Sequence, residues 1–232
     1  MYLYETHLHT SPVSLCARAG VRETLEYYKS VGYEGVFITN HFLDGNIELE
    51  TRKKPYEEQI NFYFSDFEEG VKIGKEIGLG VFLGIEMTYG GTDFLVFGID
   101  KEWCLAHPDM QKMRKTDLLK IIIDSGALVI QAHPFREAAY IDHIRLFPRH
   151  IHGVEVYNAN RTEFENKLAE QYAENYGHLR FAGSDNHSAG GQKLFGGMAT
   201  ETPITSVDDF ISRVFGGEAR LFKRDENGVT LM

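Results

Sequence analysis

Two rhythms of apolar and polar positions alternate along the chain. Short runs rich in β-branched and aromatic residues occur at 2–7, 35–39, 80–85, 94–99, 127–131, 153–156 and 180–182, and each reads as a strand. Between most of them apolar side chains return every three or four positions. Val21, Leu25 and Tyr28 form one such set and Gly32 follows it; Ile60, Phe64, Phe67 and Val71 form another, ending at Gly78. Leu119, Ile122 and Ile123 precede Gly126, and Phe164, Leu168, Tyr172 and Tyr176 precede Gly177. That spacing puts each set on one face of a helix, and a glycine just beyond accepts the left-handed conformation that closes it. Ser206 opens a last helix, with Asp208 and Asp209 in its first turn, where a hydroxyl cap and negative charge are favourable.

Strands separated by helices predict a largely parallel sheet covered on its outer face. An α/β barrel of the TIM-like kind is one closure of that pattern; an open doubly wound sheet is the other. Nearly every chemically distinctive residue follows a strand end, from several different strands. In a barrel those ends converge on one mouth, whereas in an open sheet they spread along an edge, so the pattern favours the barrel.

A chain of 232 residues with 43% apolar and 25% charged residues has the makings of a globular fold with a sizeable core. Its 34 acidic and 24 basic residues leave a net charge of −10 with no Lys/Arg run. That composition disfavours a long nucleic acid as partner, while a short end or a single nucleotide still fits. The two cysteines, Cys16 and Cys104, lie in unrelated contexts and suggest neither a disulfide framework nor a thiolate zinc site, which fits a reducing compartment. The first residues lack a basic region followed by an apolar run, and no stretch is apolar enough to cross a membrane. The expected location is the cytoplasm; no oligomeric state is legible.

His7-Leu8-His9 closes the first run, and residues two apart on a strand share a side, so both rings can reach one ion. His41 follows the second run, Glu86 the third, His133-Pro134 the fifth, and Asp185-Asn186-His187 the last. Taken singly, each has a plain explanation: a capping or core histidine, a salt-bridged glutamate, a polar loop. Their joint placement behind strands does not. A carboxylate at the end of a buried strand is costly unless it is paired or binds a cation. Mixed nitrogen and oxygen donors suit Zn, Mn or Fe, and there are too many for one ion, so two or three divalent ions are expected with a bridging carboxylate. Glu155, inside its run, could orient a ligand or simply face the interior.

His7-x-His9, Thr39-Asn40-His41, Ala132-His133-Pro134 and Gly183-Ser184-Asp185-Asn186-His187 together resemble the four motifs of the PHP (polymerase and histidinol phosphatase) superfamily, in the same order, from residue 7 to residue 187. The resemblance implies a single domain over residues 1–232 folded as a distorted seven-stranded (β/α)7 barrel. It implies a trinuclear centre that hydrolyses phosphomonoesters or phosphodiesters by attack of a metal-bound hydroxide. His7, His9, Glu86 and Asp185 would serve one ion; Glu86 would bridge to a second, also held by His133; His41 and His187 would serve a third. Three positions depart from the family's pattern. Many members carry an Asp or His soon after the first motif, where this chain has Ser14, Leu15 and Cys16. Many have Asp where this chain has Asn40, and many have His where it has Asp93, which can still ligate the second ion.

Arg18, Arg136 and Arg161 follow strand ends closely and could clamp an anionic group, since a guanidinium matches phosphate through two parallel hydrogen bonds. His41 or His187 could protonate the leaving oxygen if not engaged by metal. The expected substrate is a small phosphorylated molecule. The glycine-rich stretch 189–197 is expected as a loop at the rim. Two rival readings are an amidohydrolase-like enzyme, which also begins with HxH on a first strand, and a non-catalytic metal-binding PHP module.

Overall fold

The computed structural model describes residues 1–232. The first half runs β1 (Tyr2–Glu5), α1 (Val21–Ser30), β2 (Gly35–Ile38), α2 (Leu49–Arg52), α3 (Tyr56–Ile77), β3 (Gly80–Leu83), β4 (Ile85–Tyr89) and β5 (Thr92–Phe97). The second continues with α4 (Lys101–Ala106), α5 (Lys115–Asp124), β6 (Leu128–Ala132), β7 (Gly153–Asn158), α6 (Glu163–Tyr176) and β8 (Leu179–Gly183). It ends with β9 (Phe195–Thr200), α7 (Val207–Gly216), β10 (Arg220–Asp225) and β11 (Gly228–Leu231).

Hydrogen bonding sorts these strands into a six-stranded sheet, β11-β10-β9-β1-β2-β3, and a five-stranded one, β4-β5-β6-β7-β8. Parallel pairing holds within β1-β2-β3 and β6-β7-β8, as the strand–helix alternation predicts. The mixed α/β class therefore stands, but the pairing does not close seven parallel strands into one ring. The β4–β5 hairpin reverses direction at Gly90 and Gly91, both with positive φ, and β9, β10 and β11 form an antiparallel meander against β1. Two isolated parallel bridges, Leu8↔Asn186 and His41↔Glu86, link the sheets where the motif residues lie.

Four strands were not expected. β4 continues from β3 past a break at Gly84, and β9 hides in glycine. A Cβ on Gly196 would stand 2.5 Å from the Gly183 carbonyl oxygen, and one on Gly197 would run into the Tyr4 carbonyl. These glycines let β9 approach β8 and β1, so only the first part of the stretch 189–197 is a rim loop.

Alternation along the strands sets the layers. Leu3, Val36, Ile38, Ala199 and Phe222 face a cluster with Val21, Leu25 and Tyr28 of α1 and Ile73 of α3. Their neighbours Tyr4, Phe37, Met198 and Leu221 face the larger core shared with the second sheet. Within that core Phe210 of α7 meets Phe37, Phe97 and Phe181 at ring separations of 4.5, 5.7 and 6.1 Å. A few residues further along β2 and β8, the lining turns polar at His41 and Asp185.

The helix ends follow the expected chemistry. α3 and α6 stop at Gly78 (φ 69°) and Gly177 (φ 67°), and the Asp209 N–H donates to the Ser206 hydroxyl that caps α7. The α6 face is narrower than its spacing suggests. Ala169, Tyr172 and Ala173 are buried while Phe164 and Tyr176 at its two ends are exposed, because its middle packs on β7. No helix is long and apolar enough to cross a membrane.

Candidate metal centre

β1 ends at Glu5, so His7 and His9 lie beyond it, held in extended form by the bridge from Leu8 to Asn186. Glu5 fixes that exit. One carboxylate oxygen accepts the N–H groups of Thr6 (3.0 Å), His7 (2.9 Å) and Ser184 (2.9 Å), and the other accepts the Tyr28 hydroxyl (2.9 Å). Burial pushes the Glu5 carboxyl up to about 7, against the pull of those donors. Gly183 lies against the same segment: a Cβ there would sit 2.5 Å from His7 Cβ and 2.8 Å from Glu155 Oε1. Its part is to let the two segments approach closely. His133 and Asp185 carry positive φ, 26° and 53°, a conformation side chains rarely adopt unless the surroundings impose it.

Glu86 lies at the middle of what these segments bring together. Its Oε1 is 3.1 Å from His7 Nε2 and 3.4 Å from His133 Nε2; its Oε2 is 3.4 Å from His9 Nε2 and 2.6 Å from His41 Nδ1. Asp185 Oδ1 is 3.6 Å from His7 Nε2 and 3.4 Å from His9 Nε2, and Asp93 Oδ2 is 3.8 Å from His133 Nε2. Three donor groupings follow: His7, His9 and Asp185; His7, Glu86 and His133; and His9, Cys16, His41 and His187. Within each the donor atoms lie within 4.8 Å of one another.

Hydrogen bonds on the far side of the rings decide which nitrogens face this centre. His7 Nδ1 donates to Glu155 Oε1 at 2.8 Å. Ser14 Oγ donates to Asn40 Oδ1 and so accepts from His9 Nδ1 at 3.2 Å. His187 Nδ1 donates to the Asp185 carbonyl at 2.8 Å. In their neutral forms all three rings therefore present a bare Nε2, the tautomer a ligand needs. Glu155, completely buried, also accepts the His133 N–H and an Asn158 amide N–H, both at 3.0 Å.

Charge is divided sharply here. Burial alone would raise the Glu86 carboxyl, but the imidazoles of His41, His7 and His9 hold it well below the usual carboxylate range; His7 chiefly does the same for Asp185. Burial opposes charge on His7 and His41 too, yet the carboxylates beside them (Glu155, Asp185 and Glu86 for His7, Glu86 for His41) raise both well above an ordinary histidine. His9, lowered to about 3 by burial and by the His187 and His41 charges, stays neutral. Cys16 is pushed up by burial but brought down to about 6 by the His187 and His41 imidazoles beside it.

These donors fit a bound cation. Glu86 Oε2 and His41 Nδ1, only 2.6 Å apart, make no hydrogen bond with each other or with any other group, and Asp93 Oδ1 also lacks a partner. Buried polar atoms are rarely left so. A carboxylate oxygen and an imidazole nitrogen held this close in a geometry unsuited to a hydrogen bond match two ligands of one cation.

Every residue expected from the motifs reaches one place. His41, Glu86, Asp93, His133, Asp185 and His187 line a cavity of about 1130 Å³, with His7 and His9 buried behind. Arg18, Arg136 and Arg161 line the same cavity. Arg136 approaches Asp93 at 3.5 Å, and the buried Nε atoms of Arg136 and Arg161 have no partner. In the sequence Glu155 fits either of two roles, Cys16 carries no ligand motif, and Glu5 and Asp66 stand outside the motifs. Asp66, on α3, accepts the Thr10 hydroxyl (2.7 Å) and the Asn40 amide (3.1 Å). A carboxylate alone on the buried face of α3 was the available signal for it.

No family model and no curated protein matches the sequence. Solved structures do match in fold. A two-domain protein from Bacteroides vulgatus, described as containing a predicted PHP-like metal-dependent phosphoesterase, superposes with TM-score 0.67 at 14% identity over 95% of this chain; the chain spans 64% of that protein. An amidohydrolase from Chromobacterium violaceum gives 0.54 at 13% identity, covering 82% of this chain and 89% of that one. The lesion-specific endonuclease from Pyrococcus furiosus gives 0.58 at 10%, covering all of this chain and 57% of that one. The resemblance first seen in the motifs thus extends to the fold, which this chain shares with a protein described as PHP-like and also with an amidohydrolase and a lesion-specific endonuclease.

Proposed function

We propose that this chain is a metal-dependent hydrolase of phosphate esters, acting on a small phosphorylated substrate with two or three divalent ions of the Zn, Mn or Fe kind. The observation that carries the reading is Glu86, a buried carboxylate with four imidazoles around it and an oxygen left unpartnered. His7, His9 and Asp185 would hold one ion. Glu86, His133 and Asp93 would hold a second, with Glu86 shared. Ions bound there supply Lewis acidity toward a phosphoryl oxygen and acidify water at neutral pH.

The chain's own residues do the rest. Arg18, Arg136 and Arg161, which line the cavity wall, receive the anionic group. Of the two imidazoles considered as proton donors to the leaving oxygen, His187 keeps its proton on the Asp185 carbonyl and turns a bare nitrogen inward. His41 retains the donor role in a centre of two ions and becomes a ligand in a centre of three. Cationic side chains in the cavity favour a phosphoester over an amide or lactone, which is the ground for preferring this reading to an amidohydrolase. The net charge of −10 favours a small substrate or a nucleic-acid end over a long duplex.

Parallel assays of the metal-loaded chain on a phosphomonoester, a phosphodiester, an amide and a lactone test the proposal. Turnover of either phosphoester, abolished by His133→Ala, is the expected result. Turnover of amide or lactone alone, or bound metal with no turnover of anything, overturns it.

A further inference from the structure

The third donor grouping contains a sulfur. Cys16 lies on the loop between β1 and α1, and its thiol belongs with His9, His41 and His187 in a set of four donor atoms within 4.8 Å of one another. Tetrahedral nitrogen and sulfur ligands of a zinc-like ion stand roughly 3.3–3.8 Å apart, so small side-chain rotations close this set onto one cation. His9 Nε2 already faces Glu86 and Asp185, 3.4 Å from each, and one imidazole nitrogen serves one ion. Cys16, His41 and His187 then remain as a set of their own.

The loop that carries Cys16 is tied to both histidine-bearing segments. The Arg18 N–H donates to the His187 carbonyl at 2.7 Å, and the Leu15 N–H donates to the Asn46 carbonyl at 3.0 Å. Ser14 Oγ accepts the His41 N–H at 3.0 Å. These bonds flank Cys16 on either side and hold its backbone against the very loops that present His41 and His187. Packing of the rings agrees: His9 lies 4.5 Å from His41 and 4.4 Å from His187 between ring centroids, so the three imidazoles crowd around the mouth beside the thiol. Cys104, the other cysteine, is buried within α4 and shares none of this.

We propose that Cys16, as a thiolate, joins His41 and His187 to hold a further divalent ion, giving the centre a soft end beside its carboxylate-rich end. The inference rests on the metal-dependent reading above. Binding there replaces the S–H bond by a sulfur–metal bond and releases the proton to solvent, with no change of oxidation state. A thiolate and two imidazoles select Zn or Fe over Mn at this one position, whereas the Glu86 and Asp185 end accepts any of the three.

Cobalt(II) is the probe. The cobalt-loaded chain is expected to show an intense near-ultraviolet sulfur-to-cobalt charge-transfer band that survives Cys104→Ala. Cys16→Ser should lose the band together with a single metal equivalent per chain, and Cys16→Asp should lose the band but keep the metal. In competition, the parent should retain zinc over manganese at one equivalent, and Cys16→Asp should not. Full cobalt content without the band, or a band that persists in Cys16→Ser, overturns the thiolate ligand and leaves the hydrolase reading intact. Failure to bind any cobalt overturns both.

Discussion

Replacing Glu155 by glutamine tests whether the centre is tuned by a residue that would touch no ion. Three donors converge on the two Glu155 oxygens: His7 Nδ1–H on one, and the His133 N–H with an Asn158 amide N–H on the other. An amide offers one acceptor oxygen. The backbone N–H of His133 cannot change, but His7 can move its proton. The least costly arrangement therefore turns the glutamine oxygen toward His133 and Asn158 and its NH2 toward His7. His7 then accepts at Nδ1 and carries its proton on Nε2, which points at Glu86 Oε1 (3.1 Å) and Asp185 Oδ1 (3.6 Å). At a pH where His7 is neutral the metal-free protein stays satisfied and should change by no more than ~1 kcal/mol, or about 2–4 °C in Tm for a chain of this size. Metal affinity should fall by about 10–100-fold, the usual cost of losing the partner that orients a ligating histidine. Competition with a chromophoric chelator measures the second quantity and thermal unfolding in excess chelator the first. Parent-like metal affinity in Glu155→Gln would refute the tautomer argument. A loss of stability in chelator as large as the loss of affinity would make Glu155 a structural prop instead.

Gly183→Ala places a methyl group 2.5 Å from His7 Cβ and 2.8 Å from Glu155 Oε1, an overpacking that should cost about 1–3 kcal/mol; calorimetric unfolding at parent-like Tm would count against it. His7 and His41 are raised well above an ordinary histidine in the metal-free protein, so ligation at neutral pH must displace protons. Titration calorimetry in buffers of different ionisation enthalpy should show proton release, and heats that do not depend on the buffer would contradict it. The sign for stability follows: what these two raised groups contribute is fully present below the unfolded histidine pKa and is lost as pH rises through their folded values. The metal-free protein should therefore weaken toward alkaline pH, and bound metal should remove that trend in Tm. Arg161→Met removes an unpartnered buried guanidinium nitrogen from the cavity wall; KM for a phosphoester should rise by about 10–100-fold, the worth of a charged hydrogen bond, with metal content unchanged by elemental analysis.

How far the chain could be read in advance depended on where a residue's partners come from. His7, His41, His133 and Asp185 were legible because each follows a run of apolar residues, and a polar group in that position has few other uses. The helix ends at Gly78 and Gly177 were legible because the signal is local. β9 was not, since Gly196 and Gly197 imitate a loop until the approach to Gly183 and Tyr4 is known. Closure into a ring was equally beyond reach: parallel and antiparallel neighbours share one alternation, and the one local sign that β4 and β5 form a hairpin is the Gly90-Gly91 pair at its turn. Glu155 and Cys16 acquire their roles from contacts made across the fold, with His7 and His133 in one case and with His41 and His187 in the other.

Asn40 shows why a departure from a motif is informative once the fold is known. Alone, it looks like a lost aspartate beside the His41 motif. In the structure its amide donates to Asp66 Oδ2 at 3.1 Å and to Thr10 Oγ1 at 2.9 Å, while its carbonyl oxygen accepts the Thr10 N–H at 2.7 Å and the Ser14 hydroxyl at 3.0 Å. An aspartate at that position would set two buried carboxylates against each other, and burial already raises Asp66 above its usual range. Here the negative charge sits on α3, and a neutral amide links it to Thr10 and Ser14. Through Ser14 the same network reaches His9 Nδ1 and the His41 N–H, so Asp66 helps fix the imidazoles from outside the motifs altogether. A motif thus records which atoms face the centre, while the groups that hold those atoms in place can change residue and helix as long as every donor keeps an acceptor.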